Sequence, residues 1–239
     1  MHNLINDDCF DVMDKMTHNG ETIDMILTDP PYDIATQGGS FVKNRNGWNE
    51  LENLSISNGF DINKFLLVTL GLFKSKDYYN EVYFHSKNQI YNYLTFAIQN
   101  ELQYNLGVWH KTNPPPLCGG KYLTDVEYWI QIKGKKSPIL GDYHSKSLVY
   151  QSSINKSDKD LYGHPTCKPV ELMKKFLYNH TNVNDLIFDP FMGSGSTGHA
   201  CLELNRNFKG VELTTKYYNI ANERLSKLES KIKTSQIEW

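Results

Sequence analysis

The tetrapeptide Asp29-Pro-Pro-Tyr32 combines residue types that could do chemistry on a flat ring bearing an amine. Proline fixes φ and lacks an N–H, and a residue before proline is held extended, so these four residues form a stiff turn. The turn presents a carboxylate, the carbonyl of Pro30 and the ring of Tyr32. The two acceptors suit the two N–H groups of an exocyclic amine, and the tyrosine ring can stack on the base that carries it.

An exocyclic amine of a nucleobase is a poor nucleophile, because its lone pair is delocalised into the ring. Two acceptors on its N–H bonds help to localise that lone pair, and a nearby electrophilic methyl group then allows in-line transfer through positioning and electrostatics. The amine is inaccessible inside duplex DNA, so the base must be flipped out. A purely structural turn is the alternative, because such tetrapeptides also occur by chance.

The segment Leu186-Ile-Phe-Asp-Pro-Phe-Met-Gly-Ser-Gly-Ser-Thr-Gly198 joins a predicted strand to a predicted helix through a glycine-rich turn. Its glycines let the backbone approach a ligand closely, and the helix, predicted over 196–205, begins with free N–H groups. The next predicted strand, 208–211, delivers Glu212, a carboxylate that can hold a ribose. This order is typical of a site for a nucleoside-bearing cofactor, with a ligand-free turn as the alternative. A P-loop is excluded, since no Lys-Ser or Lys-Thr follows the glycines.

Strands that alternate with helices predict an α/β fold, with a mostly parallel sheet covered on both faces. Ligands bind such sheets at the carboxyl ends of strands. Because Asp29 and Asp189 each follow a strand and precede a proline, the sequence predicts that both point into one crevice. Predicted strands span 2–6, 23–28, 81–85, 104–109, 126–132, 186–188 and 208–211, and predicted helices span 9–16, 61–73, 87–99, 169–178, 196–205 and a closing stretch that includes 217–228. The stretch 133–163 is interpreted as irregular.

Length and composition fit one domain with a sizeable core, at 239 residues, 39% hydrophobic and 13% aromatic. No apolar run approaches a membrane span, and the polar first residues are unlike a signal peptide, so we expect a cytoplasmic protein without membrane contact. The four cysteines, at 9, 118, 167 and 201, are scattered, so neither a zinc site nor a disulfide framework is predicted. The formal charge of −2 gives no overall attraction to nucleic acid, so any basic surface must be local.

Three segments resemble, in this order, the signature motifs of the β-class amino-methyltransferases of DNA: Leu27-Thr-Asp-Pro-Pro-Tyr32, His164-Pro-Thr-Cys-Lys-Pro-Val-Glu-Leu-Met173 and Phe188-Asp-Pro-Phe-Met-Gly-Ser-Gly-Ser-Thr-Gly198. In that family the catalytic motif precedes the cofactor motif, as it does here. The likeness covers most of the chain, because further segments also resemble parts of the family: Asn6-Asp-Asp-Cys9, Gly107-Val-Trp-His-Lys111 and Glu127-Tyr-Trp-Ile-Gln-Ile-Lys133.

The resemblance implies a single methyltransferase domain over 1–239, with a permuted Rossmann-like sheet of seven mostly parallel strands, helices on both faces and inserted DNA-recognition loops. It implies S-adenosyl-L-methionine as the cofactor, and no metal is predicted. The residues that hold the target base, the catalytic set, would be Asp29, Pro30, Pro31 and Tyr32. The cofactor-binding residues would be Asp8, His164, Thr166, Lys168, Asp189, Pro190, Phe191, Gly193, Ser194, Gly195 and Glu212.

The resemblance also implies where these residues would touch the cofactor. Glu212 would bind the ribose hydroxyls, and Asp8 would lie near the adenine. His164, Thr166 and Lys168 would lie near the methionine part, where a cation can meet the carboxylate.

The chain departs from the family pattern at three positions. Cys167 stands where Gln is usual, Ser196 where Thr is usual, and Asp33 where Gly is common after the catalytic tyrosine. None of these changes removes a group that the chemistry needs. A small thiol packed beside the methionine pocket is the interpretation of Cys167.

The segments that would contact DNA are a candidate target-strand loop, 33–60, and a candidate recognition segment, 112–163. From 111 to 168 the chain carries nine lysines against five acidic residues. Such a local excess could follow a phosphate backbone, with nearby tyrosines to stack bases. On charge alone, an ordinary solvated loop surface is the alternative.

The sequence therefore predicts a site-specific methyltransferase that acts on the N6 amine of adenine in double-stranded DNA, with the target adenine flipped out. Adenine is favoured because Asp, rather than Ser, opens the catalytic tetrapeptide in the family's adenine enzymes. Methylation of the N4 amine of cytosine, an inactive module that binds cofactor or DNA, and methylation of RNA or a protein amide are the alternatives. The last class usually has Asn in place of Asp29. A bacterial or phage source is expected, and a homodimer mate and a cognate restriction nuclease are further candidate partners.

Overall fold

The computed structural model describes residues 1–32, 60–114, 122–154, 156–162 and 167–237. Within these ranges one sheet contains eight strands: β1 His2–Ile5, β2 Met25–Thr28, β3 Asn80–His85, β4 Gln103–Lys111, β5 Val126–Lys133, β6 Val149–Ser152, β7 Leu186–Asp189 and β8 Asn207–Val211. The α-helices described are α1 Cys9–His18, α2 Ile62–Thr69, α3 Ile90–Gln99, α4 Lys156–Tyr162, α5 Val170–His180, α6 Ser196–Glu203 and α7 Thr215–Ile237. Two 3₁₀ turns, Leu70–Leu72 and Lys76–Tyr78, follow α2.

The strand order is β1-β8-β7-β2-β3-β5-β4-β6. Strand β5 is antiparallel to both of its neighbours, and every other described pairing is parallel. Ile26 of β2 pairs with Phe188 of β7 on one side and with Glu81 of β3 on the other. Parallel pairing places the carboxyl ends of these strands at one edge, so the turns that follow β1, β2, β7 and β8 meet there although they are distant in sequence.

Alternation of side chains along the buried strands supplies a core on each face of the sheet. Met25 and Leu27 of β2 belong to a cluster with Phe176 of α5. Ile26, between them, belongs to the opposite cluster with Phe65 of α2. All four residues of β2 are buried, which is typical of a strand in a parallel sheet covered by helices on both faces. The turn that follows β2 is therefore anchored in the middle of the core.

The predicted α/β class, with a mostly parallel sheet and helices on both faces, is confirmed. The sheet has eight strands rather than seven, because β6 pairs in parallel with β4 at the sheet edge. Strand β6 and helix α4 lie in the stretch predicted to be irregular, so that prediction is wrong for both. Strand β6 alternates only between exposed and partly buried residues, and an edge strand of this kind lacks the apolar alternation that marks a strand in sequence. Among the described residues, no helix is long and apolar enough to cross a membrane.

Candidate active site

The two strand-end aspartates lie on adjacent turns at the carboxyl edge of the sheet. Strand β7 ends at Asp189, and β2 ends one residue before Asp29. The hydroxyl of Thr28 donates to Oδ1 of Asp189 at 2.7 Å, which ties the two turns together. Asp29 and Asp189 are thus close, as their shared strand–Asp–Pro pattern predicts.

Asp189 makes its hydrogen bonds to neighbouring turns of the protein. Its side chain is buried, and Oδ1 accepts the Phe191 backbone N–H at 3.1 Å as well as the Thr28 hydroxyl. Burial raises the pKa of Asp189 to about 6, although these hydrogen bonds favour the ionised form. The residue therefore fastens the start of the glycine-rich turn to the end of β2.

Asp29 is bonded differently, because one of its two carboxylate oxygens is left open. Oδ2 accepts a hydrogen bond from the Lys168 ammonium at 2.5 Å. Oδ1 is shielded from solvent, and no described residue hydrogen-bonds it with good geometry, although the Tyr32 hydroxyl interacts with this carboxyl and lowers its pKa. The turn is also anchored to the start of α3. The side-chain amide of Gln89, the residue before α3, donates to the carbonyl of Pro31 at 2.9 Å. Burial raises the pKa of Asp29; Lys168 opposes that rise and Glu127 adds to it.

A four-residue ionic cluster surrounds Asp29. The Lys168 ammonium lies 2.5 Å from Asp29 Oδ2 and 2.5 Å from Glu127 Oε1. The Lys111 ammonium lies 2.8 Å from Glu127 Oε2. Although burial alone would raise it, the two lysines lower the pKa of Glu127 to about 2, so this acid is ionised. The hydroxyl of Tyr32 is 3.4 Å from Glu127 Oε1, and its ring is 5.9 Å from the Lys168 ammonium.

Lys168 lies beside the catalytic tetrapeptide. Its ammonium contacts Asp29 and Glu127. The predicted position near the methionine part of the cofactor stays a prediction. Burial opposes its charge, but the two carboxylates raise the pKa of Lys168 above its ordinary value. Lys168 is therefore a charged group that stabilises the ionised form of Asp29.

Sequence reasoning gave Glu127 no role in the site and counted Lys111 only in the lysine excess of 111–168. Glu127 is the second residue of β5, and the start of a strand in a mostly parallel sheet normally lies at the edge away from the ligand. Because β5 is antiparallel, its start lies at the carboxyl edge instead, with Glu127 paired to Trp109 of β4. Lys111 is the last residue of β4 and reaches the same place. Both residues lie in segments that resemble the family. Their place in the site follows only once the antiparallel direction of β5 is known.

The glycine-rich turn lies beside Glu212 at the end of β8. Gly193 and Gly195 have φ of 50° and 80°, a left-handed conformation that favours glycine. The Gly193 N–H donates to Glu212 Oε2 at 3.1 Å, and the Thr214 N–H donates to Oε1 at 2.8 Å. Glu212 is 9% exposed, and burial raises its pKa above the ordinary value. This carboxylate is held rigidly while each oxygen keeps a second lone pair for a ligand.

The predicted residues Asp8, Pro190 and Phe191 lie around the same turn. Asp8 caps α1 by accepting the Phe10 N–H at 2.8 Å. Asn6, just before it, donates to the backbone carbonyl of Glu212 at 2.7 Å, which joins the ends of β1 and β8. Pro190 is buried and Phe191 is partly buried. The ring centroid of Phe191 is 5.3 Å from that of Phe60, so aromatic side chains border this part of the site.

Arg224 of α7 braces the far side of the turn, and sequence reasoning missed it. Its guanidinium donates to the Ser194 carbonyl at 3.3 Å and to the Ser196 hydroxyl at 3.4 Å. It also pairs with Asp158 of α4 at 3.1 Å. Cys167 is a buried free thiol 3.3 Å from the Ser194 hydroxyl, which agrees with its interpretation as a small packed side chain. A buried cation at helical spacing leaves no signal in sequence that separates it from a surface arginine.

Several predicted features fall on residues for which no structure is described. His164 and Thr166 lie outside the described residues, and so does the candidate target-strand loop except for Phe60. The parts of the candidate recognition segment at 115–121, 155 and 163 also lie outside.

The lysine excess between 111 and 168 divides into two groups in the structure. Lys111 and Lys168 belong to the ionic cluster, and Lys133 is buried with its ammonium on the Gly134 carbonyl. Lys136 pairs with Asp77 at 3.3 Å on the surface. Three of the nine lysines are therefore buried or mostly buried, so the count overstates the positive charge that this stretch exposes to DNA.

Comparison with known proteins identifies the family. The family model described as DNA methylase matches residues 23–223. Type II methyltransferase M2.MboI of Moraxella bovis is 27% identical over 255 residues, covering 97% of this chain and 90% of that protein. The M1.HpyAVI–SAM complex is 26% identical, with a TM-score of 0.72 and coverage of 94% of this chain and 100% of that one. The cytosine-N4-specific PvuII DNA methyltransferase has the same fold, with a TM-score of 0.68 at 15% identity and coverage of 97% and 92%.

The chain therefore belongs to the DNA methylase family of amino-methyltransferases, whose cofactor is S-adenosyl-L-methionine and whose substrate is DNA. The residues present fit that cofactor. A ribose diol needs two acceptors, and the fixed carboxylate of Glu212 offers both at the end of β8. The left-handed glycines keep side chains away from the same place. When bound, the cofactor supplies a methyl group on a positively charged sulfur.

Proposed function

We propose that the chain methylates the exocyclic N6 amine of adenine in double-stranded DNA, after the adenine has been flipped out of the helix. The observation that carries this proposal is the open Oδ1 of Asp29. A buried acceptor without a partner costs about 1–3 kcal/mol, and a donor from the substrate removes that cost. Because Oδ1 is shielded from solvent, the incoming base must displace part of its cover.

The geometry supports a division of labour within the catalytic tetrapeptide. One N–H of the amine donates to Asp29 Oδ1, and the other is proposed to donate to the Pro30 carbonyl. The lone pair on nitrogen then attacks the methyl carbon, and the bond from that carbon to sulfur breaks. The methylated nitrogen gives up one proton, which Asp29 or water can accept. The raised pKa of Asp29 makes it a better proton acceptor than an ordinary carboxylate.

Tyr32 is proposed to stack on the flipped base. Burial and the charges of Asp29 and Glu127 raise its pKa well above the ordinary value, so the phenol is neutral. A neutral aromatic ring next to the carboxylate offers a surface for stacking, which is worth about 1–3 kcal/mol per base. The ring therefore fixes the plane in which the amine meets Asp29.

Methylation of the N4 amine of cytosine is the second candidate. The same two acceptors would bind the amine of cytosine, and the cytosine-N4-specific PvuII enzyme shares the fold. At 15% identity that likeness concerns the fold alone. The carboxylate at position 29 favours adenine, because Ser is usual there in the family's cytosine enzymes.

Expression in a methylation-deficient bacterium tests the proposal directly. Mass spectrometry of the genomic nucleosides separates N6-methyladenine from N4-methylcytosine, and single-molecule sequencing gives the sequence context. We expect N6-methyladenine in one fixed context, and none from Asp29→Ala made at the same level. N4-methylcytosine would establish the second candidate. An unmodified genome from soluble, folded protein would favour an inactive module or a substrate other than DNA.

Target recognition is proposed to involve both 33–60 and 112–163, with a homodimer mate or a cognate nuclease as further partners. Deletion of 40–55 should abolish DNA modification while cofactor binding survives. Unchanged sequence preference in that deletion would contradict a role for the loop in recognition.

A further inference from the structure

The ionic cluster around Asp29 is balanced in charge. Asp29 and Glu127 carry the two negative charges, and Lys168 and Lys111 carry the two positive ones. All four side chains are at least three-quarters buried, with exposed fractions of 22%, 15%, 9% and 20% in that order. Buried charges are stable only when they are paired, so removal of any one member leaves its partner uncompensated.

The contacts within the cluster are directional. The Lys168 ammonium hydrogen-bonds Oδ2 of Asp29 and also contacts Glu127 Oε1, whereas no described residue makes a hydrogen bond of good geometry to Asp29 Oδ1. The remaining oxygen of Glu127 is taken by Lys111, which anchors this acid to the end of β4. With Glu127 in place, the ammonium is drawn to one side of Asp29. Without it, the ammonium could bridge both oxygens of Asp29 and occupy the acceptor that a substrate amine needs.

We propose that Glu127 is a positioning residue for methyl transfer: it holds the Lys168 ammonium on Oδ2 of Asp29, so that Oδ1 stays open for the amine. Lys168 keeps Asp29 ionised, and Lys111 fixes Glu127. This inference rests on the proposed role of Asp29 as the acceptor of the amine. Removal of opposite charges must move the protonation of Asp29 in opposite directions. A positioning role predicts in addition that Glu127→Gln slows methylation although it leaves Asp29 more readily ionised.

The sign of each shift follows from the charge removed. Lys168→Met removes a positive charge and must raise the pKa of Asp29. Glu127→Gln removes a negative charge and must lower the pKa of Asp29. The double variant must lie between the two. Lys111→Met, one step further away, must raise the pKa of Asp29 by less than Lys168→Met does.

The test uses the full chain, labelled with carbon-13 at aspartate carboxyls and titrated by NMR. The Asp29 resonance is assigned as the one lost in Asp29→Asn, so this measurement does not depend on activity. The pH profile of kcat/KM for DNA methylation is the second measurement, since its acid limb follows the ionisation of Asp29. At neutral pH we expect methylation to slow about 100-fold in Lys168→Met and about tenfold in Glu127→Gln. Asp77→Asn and Lys136→Met, from an exposed ion pair, are the matched controls and should leave both curves unchanged.

Opposite shifts in the two single variants support the inference. Shifts in the same direction, or no shift, overturn it. A loss of S-adenosylmethionine affinity in Lys168→Met, measured by calorimetry with no change in the Asp29 titration, also overturns it and supports the predicted cofactor contact. If Glu127→Gln does not fold, Lys111→Met and Lys168→Met still test the order of the shifts. If the two variants show opposite shifts but the wild-type chain never methylates adenine, the proposed function is contradicted and the electrostatics of the cluster are not.

Discussion

The turns after β2 and β7 have the same local pattern, a buried strand followed by aspartate and proline, yet their carboxylates are used differently. Asp189 is 3% exposed and accepts hydrogen bonds from Thr28 and Phe191, so it joins two turns of the protein. Oδ2 of Asp29 accepts from Lys168, whereas no residue in the described part of the chain makes a hydrogen bond of good geometry to Oδ1. Local sequence thus determines where a carboxylate lies, whereas its neighbours in space determine whether it serves the fold or a ligand.

The largest expected effect comes from the same substitution made at each aspartate. Asp29→Asn keeps the size of the side chain but removes the charge that faces the amine. Methylation should fall by about 100- to 1000-fold, the loss seen when a preorganised electrostatic group is removed from an active site. Asp189→Asn can still accept from Thr28 and Phe191, so its rate should stay within about tenfold of wild type. Steady-state rates on a DNA substrate would check both, and equal losses would contradict the distinction.

The stability of the chain should depend on the ionisation of Asp189. The pKa of Asp189 is raised from 3.8 to about 6 in the folded chain. A raised carboxyl pKa adds stability below its unfolded value, and this contribution is lost as pH rises through the folded value. Between pH 4 and pH 7, the stability of wild type relative to Asp189→Asn should therefore fall by about 2 kcal/mol. Urea unfolding at several pH values measures this, and a difference that rises with pH would contradict the assignment.

Two glycines in and after the glycine-rich turn are required for different reasons. Gly195 is left-handed, whereas Gly198 lies inside α6, where a Cβ would meet Leu225 at 2.6 Å and Phe208 at 2.7 Å. Gly198→Ala should therefore destabilise the chain by about 2 kcal/mol through overpacking. Gly71→Ala is the control, since its Cβ would come no closer than 3.4 Å to Thr17. Thermal unfolding of both variants checks this. Equal melting temperatures would contradict the prediction, because they would mean that Leu225 and Phe208 move aside without cost.

The smallest expected effect concerns the Tyr32 hydroxyl. Its hydrogen bond to Glu127 is long, at 3.4 Å, and its interaction with Asp29 lowers the pKa of that carboxyl less than Lys168 does, so the ring rather than the hydroxyl should matter. Tyr32→Phe should change the methylation rate by no more than about threefold, whereas Tyr32→Ala should lose at least about tenfold with the stacking surface. Single-turnover rates separate the two variants. A large loss in Tyr32→Phe would place the hydroxyl, and not the ring, in the reaction.

The sequence was sufficient for features that depend on local pattern. Strand runs that end in Asp-Pro located Asp29 and Asp189, and the spacing from the glycine turn located Glu212 at the end of β8. It was insufficient for Glu127 and Lys168, because their contact joins residues on different elements and depends on the reversed direction of β5. No local pattern in a single sequence states that a strand is antiparallel. Strand β6 was missed because its residues are exposed or only partly buried at the sheet edge.

The most direct test of the central claim is a crystal structure of the chain with a non-reactive analogue of the cofactor and a DNA duplex that contains its target site. We predict the flipped adenine stacked on Tyr32, with its N6 about 2.7–3.2 Å from Oδ1 of Asp29 and Lys168 still on Oδ2. An adenine amine bonded to Asp189, or an Asp29 that keeps both oxygens away from the base, would contradict the account.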